Sequence, residues 1–204
     1  MGQTGSEYYE FDEKLQEELP EPGASSALFG IHEGSIMKQR RKNIVLIGMP
    51  GSGKTSVGKR LAEALGLTYI DTDQEIEERT GTSIRTIFEV EGEAFFRNLE
   101  KLMIREVAGR YGCVIATGGG VILDPENMKA LREHGTIFLL DRRPELLEAS
   151  YERPLADTKE KIYALYEERL GLYLAAADVV IDPDSGKDVD FDIISGIYLE
   201  REKA

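Results

Sequence analysis

Residues 43–55 read NIVLIGMPGSGKT, and most of the architecture follows from this short stretch. The apolar run from Asn43 to Gly48 has the length and composition of a buried β-strand. Gly48 to Thr55 then match the phosphate-binding loop pattern G-x-x-x-x-G-K-[ST] in full. From Lys54 to Leu65 apolar residues recur at helical spacing, and Gly66 is placed to end the helix. The stretch therefore predicts a strand–loop–helix unit that binds the phosphates of a nucleoside triphosphate.

The loop residues have separate tasks in such a unit. The glycines let the backbone turn its N–H groups towards a phosphate, and the start of the helix adds partial positive charge. Lys54 can reach the β- and γ-phosphates, and the Thr55 hydroxyl can bind the magnesium that accompanies them. The predicted nucleotide-binding residues are Gly48, Gly51, Ser52, Gly53, Lys54, Thr55 and Ser56.

The rest of the chain alternates between short apolar strands and helices. Further strands are predicted at 68–71, 113–117, 136–140 and 178–181. Helices are predicted at 74–80, 83–92, 93–111, 125–133, 157–176 and 188–202. Short apolar strands separated by helices indicate a parallel sheet that is covered on both faces. The fold class is therefore α/β, in three layers, with ligands expected beyond the carboxyl ends of the strands.

Polar and glycine residues follow those strand ends. Asp71 and Asp73 lie two apart at the end of the second strand, so in extended backbone they share a face. One can hold a metal's water shell, while the other accepts a proton from a substrate hydroxyl. A simpler interpretation of Asp73 is the N-cap of the helix that follows. After the third strand come Gly118, Gly119 and Gly120, which allow very close backbone approach.

The segment 92–100, GEAFFRNLE, carries an arginine beside aromatic residues. Arg97 and Glu100 are three apart and share one helical face, which is also consistent with a surface ion pair of little value. However, an arginine in apolar surroundings is suited to two-pronged recognition of a carboxylate.

Taken in order, these motifs resemble the shikimate kinase family, a group of phosphate-loop kinases of small molecules. The matching segments are GMPGSGKT at 48–55, IDTD at 70–73, GEAFFRNLE at 92–100, TGGG at 117–120 and RPL at 153–155. The resemblance covers residues 43 to about 200. It implies transfer of the ATP γ-phosphate to the 3-hydroxyl of shikimate, a step towards chorismate and the aromatic amino acids. It also implies a five-stranded parallel sheet in the order 2-3-1-4-5.

The resemblance assigns roles to individual residues. Thr55 and Asp71 would form the magnesium site. Asp73 would contact the accepting hydroxyl as base or orienter, with Lys54 and Arg153 as its catalytic partners. Arg97 and Arg169 would bind the shikimate carboxylate, and Gly118, Gly119 and Gly120 would line the shikimate pocket. The three arginines Arg97, Arg153 and Arg169 would also make the site locally basic.

The chain departs from the family in its lid, the segment at about 141–156. Only 12 residues separate Leu140 from Arg153, and the family's lid arginine that stacks on adenine is missing from the LEASYE segment at 147–152. Arg142 and Arg143 come too early to replace it. The short lid and the N-terminal segment leave open a nucleotide-binding module without activity. A phosphate-loop kinase for another hydroxylated substrate such as gluconate also stays open, and Arg97, Arg169 and the three glycines distinguish it from a shikimate kinase.

The composition and net charge exclude or disfavour several types of site and partner. The chain has 204 residues, a net charge of −13 and one cysteine, Cys113, so an intramolecular disulfide or a cysteine-based metal cluster is excluded. Such acidity disfavours nucleic acid as a partner. There is neither an apolar run of membrane-spanning length nor a signal-peptide pattern, so a cytoplasmic monomer that does not contact membranes is expected.

Residues 1–36 differ in composition from the rest of the chain. They hold eight acids and one lysine, together with Pro20, Pro22 and Gly23. We expect a flexible extension or linker here, which could dock on a partner or derive from a fusion. The domain proper is expected to span 37–204.

Overall fold

The computed structural model describes residues 41–182 and 186–203. The prediction for residues 1–36 therefore lies outside the described residues. Five strands form one sheet: β1 (Asn43–Ile47), β2 (Thr68–Asp71), β3 (Cys113–Ala116), β4 (Gly135–Leu140) and β5 (Val179–Ile181). Their order across the sheet is β2-β3-β1-β4-β5, and every neighbouring pair is parallel. The predicted fold class and strand order are confirmed.

Seven α-helices occur in the part of the chain that is described. They are α1 (Lys54–Leu65), α2 (Thr72–Thr80), α3 (Ile84–Val90), α4 (Glu93–Ala108), α5 (Pro125–His134), α6 (Lys159–Ala176) and α7 (Lys187–Arg201). Two 3₁₀ turns, Val121–Leu123 and Pro144–Leu146, lie in stretches for which the sequence predicted no element. None of the described helices is both long enough and apolar enough to cross a membrane.

The helices cover both faces of the sheet, because alternate residues of each central strand point in opposite directions. In β1, Ile44 and Leu46 belong to the core that α1 and α7 cover, while Val45 and Ile47 belong to the core beneath the remaining helices. All four side chains are fully buried. This two-sided burial is typical of parallel sheets and holds the carboxyl ends of β1, β2 and β3 in fixed positions.

Candidate active site

A cleft of about 530 Å³ opens beyond the carboxyl ends of β1, β2 and β3. It brings together all but one of the residues predicted for the site. Those that line it are Gly51, Ser52, Gly53, Lys54, Thr55, Ser56, Asp71, Asp73, Arg97, Gly118, Gly119, Gly120, Arg153 and Arg169. The exception is Gly48, the first residue of the loop, which does not line the cleft. A side chain there would come within 2.6 Å of the Leu140 carbonyl oxygen.

The phosphate-binding loop has a backbone that requires glycine. Gly51 and Gly53 have φ angles of 86° and 99°, in the left-handed region that other residues rarely adopt. The Lys54 ammonium lies inside the loop and donates to the carbonyl oxygens of Gly48 and Met49, at 2.8 and 2.9 Å. Burial lowers the pKa of Lys54 to about 8, although nearby Asp73 opposes the shift. A phosphate bound here would supply the anion that this buried cation lacks.

Asp71, rather than Asp73, caps helix α2. Its carboxylate accepts hydrogen bonds from the backbone N–H groups of Asp73 and Gln74, at 3.2 and 3.4 Å. The helix therefore begins at Thr72, and the prediction of a helix from Gln74 was two residues late. The second carboxylate oxygen of Asp71 accepts from the Thr55 hydroxyl at 3.2 Å, which joins the two residues predicted for the metal site.

Asp73 lies in the first turn of α2, so the extended geometry assumed from the sequence was wrong for this pair. Its Oδ1 is buried and has no hydrogen-bond partner among the described residues. Burial raises its pKa to about 7, Asp71 and Glu100 add to the rise, and Lys54 partly offsets it. Asp73 is therefore a carboxylate balanced between charged and neutral forms near neutral pH, as a general base should be.

The three glycines after β3 each make room for a different neighbour. A Cβ on Gly118 would lie 2.5 Å from Asp73 Oδ1 and 3.0 Å from Glu100 Oε1. On Gly119 it would meet Pro50 of the phosphate loop at 2.9 Å, and on Gly120 it would overlap the Arg97 guanidinium. None of the three has a positive φ, so close approach rather than backbone conformation explains them. This confirms the close backbone approach expected at these glycines.

Arg97 extends from α4 into the cleft between two acids. Its guanidinium donates to Glu93 at 2.8 Å and to Glu100 at 2.9 Å. The Glu100 side chain is only 2% exposed, so the interpretation of this pair as a surface ion pair is wrong. Burial raises the pKa of Glu100, although Arg97 and Arg169 oppose the rise.

From the sequence, Glu100 was named only as an ion-pair partner of Arg97 and was not assigned to the site, although it lines the cleft. Its Oε1 is buried without a hydrogen-bond partner among the described residues. The signal was available: Phe96, Met103 and Val107 mark the buried face of α4, and Glu100 is in phase with them. A carboxylate on the apolar face of a helix is rare unless it is paired.

Two residues of α6 converge on the middle glycine. Arg169 is 5% exposed, and its guanidinium lies 3.5 Å from the Gly119 carbonyl oxygen. The Tyr173 hydroxyl donates to the same oxygen. Arg169 is thereby held beside the glycine run at the edge of the cleft.

The lid segment brings Arg153 to the phosphate loop. Arg153 Nη1 lies 3.3 Å from the position that a Cβ on Gly51 would occupy. Arg142 is buried instead in an ion pair with Asp190 of α7. The cleft lining carries five cationic and five acidic side chains, so the expectation of a locally basic site was wrong. The site is nevertheless much less acidic than the chain as a whole.

Comparisons with known proteins agree with this geometry. The family model described as "Shikimate kinase" matches residues 50–195. The chain belongs to the shikimate kinase family. A shikimate kinase of Chromobacterium violaceum is 44% identical over 153 residues, which cover 72% of this chain and 83% of that protein. Membership makes the chain an ATP-dependent kinase, a phosphotransferase.

A solved structure and a fused relative extend the comparison. A shikimate kinase from Acinetobacter baumannii, solved in complex with shikimate, superposes with a TM-score of 0.72 and 37% identity. That match covers 79% of this chain and 93% of the other. A bifunctional shikimate kinase/3-dehydroquinate synthase of Thermotoga maritima is 46% identical over 133 residues. The aligned residues make up 64% of this chain and 27% of that protein. The kinase unit therefore also occurs as part of a fused chain.

Proposed function

We propose that the cleft binds ATP along the phosphate loop and shikimate against α4, α6 and the glycine run. The γ-phosphoryl group then passes to the 3-hydroxyl of shikimate. One observation carries the proposal: near Lys54 and Gly118, Asp73 presents a buried carboxylate oxygen that has no hydrogen-bond partner in the described part of the chain. A hydroxyl that approached this oxygen would meet both a proton acceptor and the end of the phosphate loop.

On the nucleotide side, ATP phosphates would replace the carbonyl oxygens that Lys54 now contacts. The backbone of Gly48, Gly51 and Gly53 would supply N–H donors, joined by the backbone or side chains of Ser52, Thr55 and Ser56. Lys54 is buried in the loop, so most of the free energy of desolvating it has already been met during folding. This favours tight contact with an incoming polyphosphate.

Thr55 and Asp71 are suited to hold Mg²⁺ at the mouth of the loop. Their oxygen atoms lie 3.2 Å apart, and both residues line the cleft. No group of three or more acidic, histidine or cysteine side chains that could hold a metal occurs within residues 41–182 and 186–203. That pattern fits magnesium, which commonly takes one or two protein ligands and completes its shell with water and phosphate oxygens. Bound there, the ion would offset negative charge on the phosphates.

On the acceptor side, Arg97 and Arg169 would bind the shikimate carboxylate. Both guanidinium groups reach the cleft, one from α4 and one from α6. Glu100 holds Arg97 by a hydrogen bond and lies near Arg169, which keeps the two cations at the same wall. Gly118, Gly119 and Gly120 would line the shikimate pocket, and their lack of side chains lets Asp73, Pro50 and Arg97 stand close against the backbone there.

During transfer, Asp73 would accept the hydroxyl proton or orient the hydroxyl towards the phosphate. Lys54 and Arg153 would stabilise the charge on the moving phosphoryl group, because both side chains lie against the phosphate loop. Phosphoryl transfer depends mainly on positioning and charge stabilisation, and these groups supply both.

The test is ADP release by the full chain with MgATP, followed with shikimate, quinate or gluconate as acceptor. Release that depends on shikimate is expected, with little on gluconate. Turnover on gluconate in preference to shikimate, or nucleotide binding with no turnover on any acceptor, would contradict the proposal. Binding of ATP is measured alongside so that a misfolded preparation is recognised.

A further inference from the structure

The lid loop, which we define as residues 148–155, is anchored at both ends. Leu147 and Ala156 flank it and are buried in the main core. Within it, Arg153 N donates to Ser150 O at 3.0 Å, and Ala156 N donates to Arg153 O at 2.9 Å. Ser150 N donates to Ala156 O at 3.1 Å and closes the ring. The backbone around Arg153 is therefore a compact unit that can be positioned from outside.

Two side chains from neighbouring helices donate to the backbone of this unit, and one of them is Lys161 of α6, whose Nζ lies 3.1 Å from the Pro154 carbonyl oxygen. Arg85, the second residue of α3, donates from Nη1 to the Tyr151 carbonyl oxygen at 2.8 Å. Its guanidinium carbon also lies 3.8 Å from the centre of the Tyr151 ring, well within cation–π range. The same Nη1 is 3.9 Å from Asp157, just beyond the loop. We call Arg85, Tyr151 and Asp157 the latch.

The latch connects the lid loop to a wall of the cleft. Ile84 and Phe88, the neighbours of Arg85 on α3, both line the cleft and pack on the main core. Arg85 is thus fixed to a well-packed helix, and its side chain is only 21% exposed. Glu89, one turn later at 2.9 Å from Nε, further restricts the guanidinium.

We propose that Arg85 is a positioning residue for Arg153: by binding Tyr151 and Asp157 it holds the lid loop so that Arg153 lies over the phosphate loop. This rests on the role of Arg153 in the proposed function. The lid of this chain is short and has no second arginine within residues 144–152. Its contact with α3 restrains the loop on the N-terminal side of Arg153, while Lys161 restrains it on the C-terminal side.

The main test is a double-mutant cycle on the full chain. Arg85→Ala is expected to lower kcat with shikimate and ATP about tenfold, since small displacements of a catalytic group cost one to two orders of magnitude. The affinity for shikimate alone should stay close to wild type. In an Arg153→Ala background, Arg85→Ala should have almost no further effect, because the residue through which it acts is gone.

Variants of the same contact sharpen the test. Tyr151→Phe keeps the ring and the carbonyl and should behave as wild type. Tyr151→Leu removes the ring without touching α3 and should show part of the loss. Arg85→Lys keeps the charge but not the forked donor, so partial rescue is expected. If Arg85→Ala fails to fold, Tyr151→Leu carries the same cycle with Arg153→Ala.

Arg60→Ala is the matched control, because Arg60 also lies over an aromatic ring, Phe191, and pairs with Asp188, outside the cleft. It should leave kcat unchanged. Equal losses from Arg85→Ala in both backgrounds, no loss at all, or the same loss from Arg60→Ala would overturn the latch. Absence of shikimate-dependent turnover in the wild type would instead overturn the proposed function, so the two failures are distinguishable.

Discussion

At the residue scale, the environment of Asp73 combines opposing influences. Burial and two neighbouring acids raise its pKa to about 7, while Lys54 favours the charged form. We expect Asp73→Asn to lower kcat by about 10²- to 10⁴-fold, the usual contribution of a general base. ATP binding should persist, because the loop contacts do not involve this carboxylate. Nucleotide titration beside the kinetic assay checks this, and a loss of ATP affinity equal to the loss of kcat would show that Asp73 is misassigned.

The raised pKa of Asp73 should also make the free energy of unfolding depend on pH. The folded pKa of Asp73 lies above its unfolded value of 3.8, so the native state binds the proton more tightly. Stability therefore falls as pH rises from about 4 to 7. A difference of about 3 pKa units corresponds to at most ~4 kcal/mol. Without ligands or metal, Asp73→Asn should be more stable than wild type at pH 8, and the two should converge near pH 4. Urea unfolding measures the difference, and a less stable variant at pH 8 would contradict it.

A further prediction at the residue scale concerns the role of Arg97 in binding the acceptor. Arg97→Ala should raise the KM for shikimate by about 10- to 100-fold, because hydrogen bonds between charged groups contribute roughly 1.5–3 kcal/mol. The KM for ATP should change little. Arg105→Ala, on the exposed side of the same helix, is the control and should change neither. Equal changes in both KM values for Arg97→Ala would argue against a role in acceptor binding.

At the element scale, the glycine run acts through the space it leaves. Gly118→Ala places a Cβ 2.5 Å from Asp73 Oδ1, so the carboxylate must move. We expect kcat to fall by about tenfold or more. Gly171→Ala is the matched control, because nothing lies within 4 Å of its added Cβ and it is inside helix α6. That change should stabilise the protein by roughly 0.5–1 kcal/mol with normal activity. Wild-type kcat in Gly118→Ala would contradict the close approach.

Elements with strong local signals could be predicted from the sequence. Helix α1 runs from Lys54 to Leu65 as predicted, because Gly66 adopts a left-handed conformation with φ 62° and ends it. The start of α2 was misplaced because either of two aspartates can cap a helix, and only tertiary contacts select Asp71. The 3₁₀ turns have no periodic signal of their own, so they could not be found.

For the site, too, some features could be predicted from the sequence and others could not. Motif spacing predicted which residues line the cleft, since the ends of parallel strands bring them together. It could not predict that Lys54 contacts its own loop or that Arg85 contacts the lid. Those facts depend on packing between elements far apart in the chain, which local patterns do not encode.

At the scale of the whole molecule, residues 48–169 contain every residue assigned to the site. We expect a chain that lacks residues 1–36 to keep the fold, the kcat and both KM values of the full chain. Urea unfolding and steady-state kinetics on both proteins check this. A large loss of activity in a folded, shortened protein would show that the acidic segment contributes to the site.

The most direct measurement of the central claim is coupled ADP release by the full chain with MgATP, with and without shikimate. Binding of both substrates in one cleft, with Asp73 between them, predicts saturable release that depends on shikimate and disappears in Asp73→Asn. Nucleotide binding without any shikimate-dependent release would contradict that account.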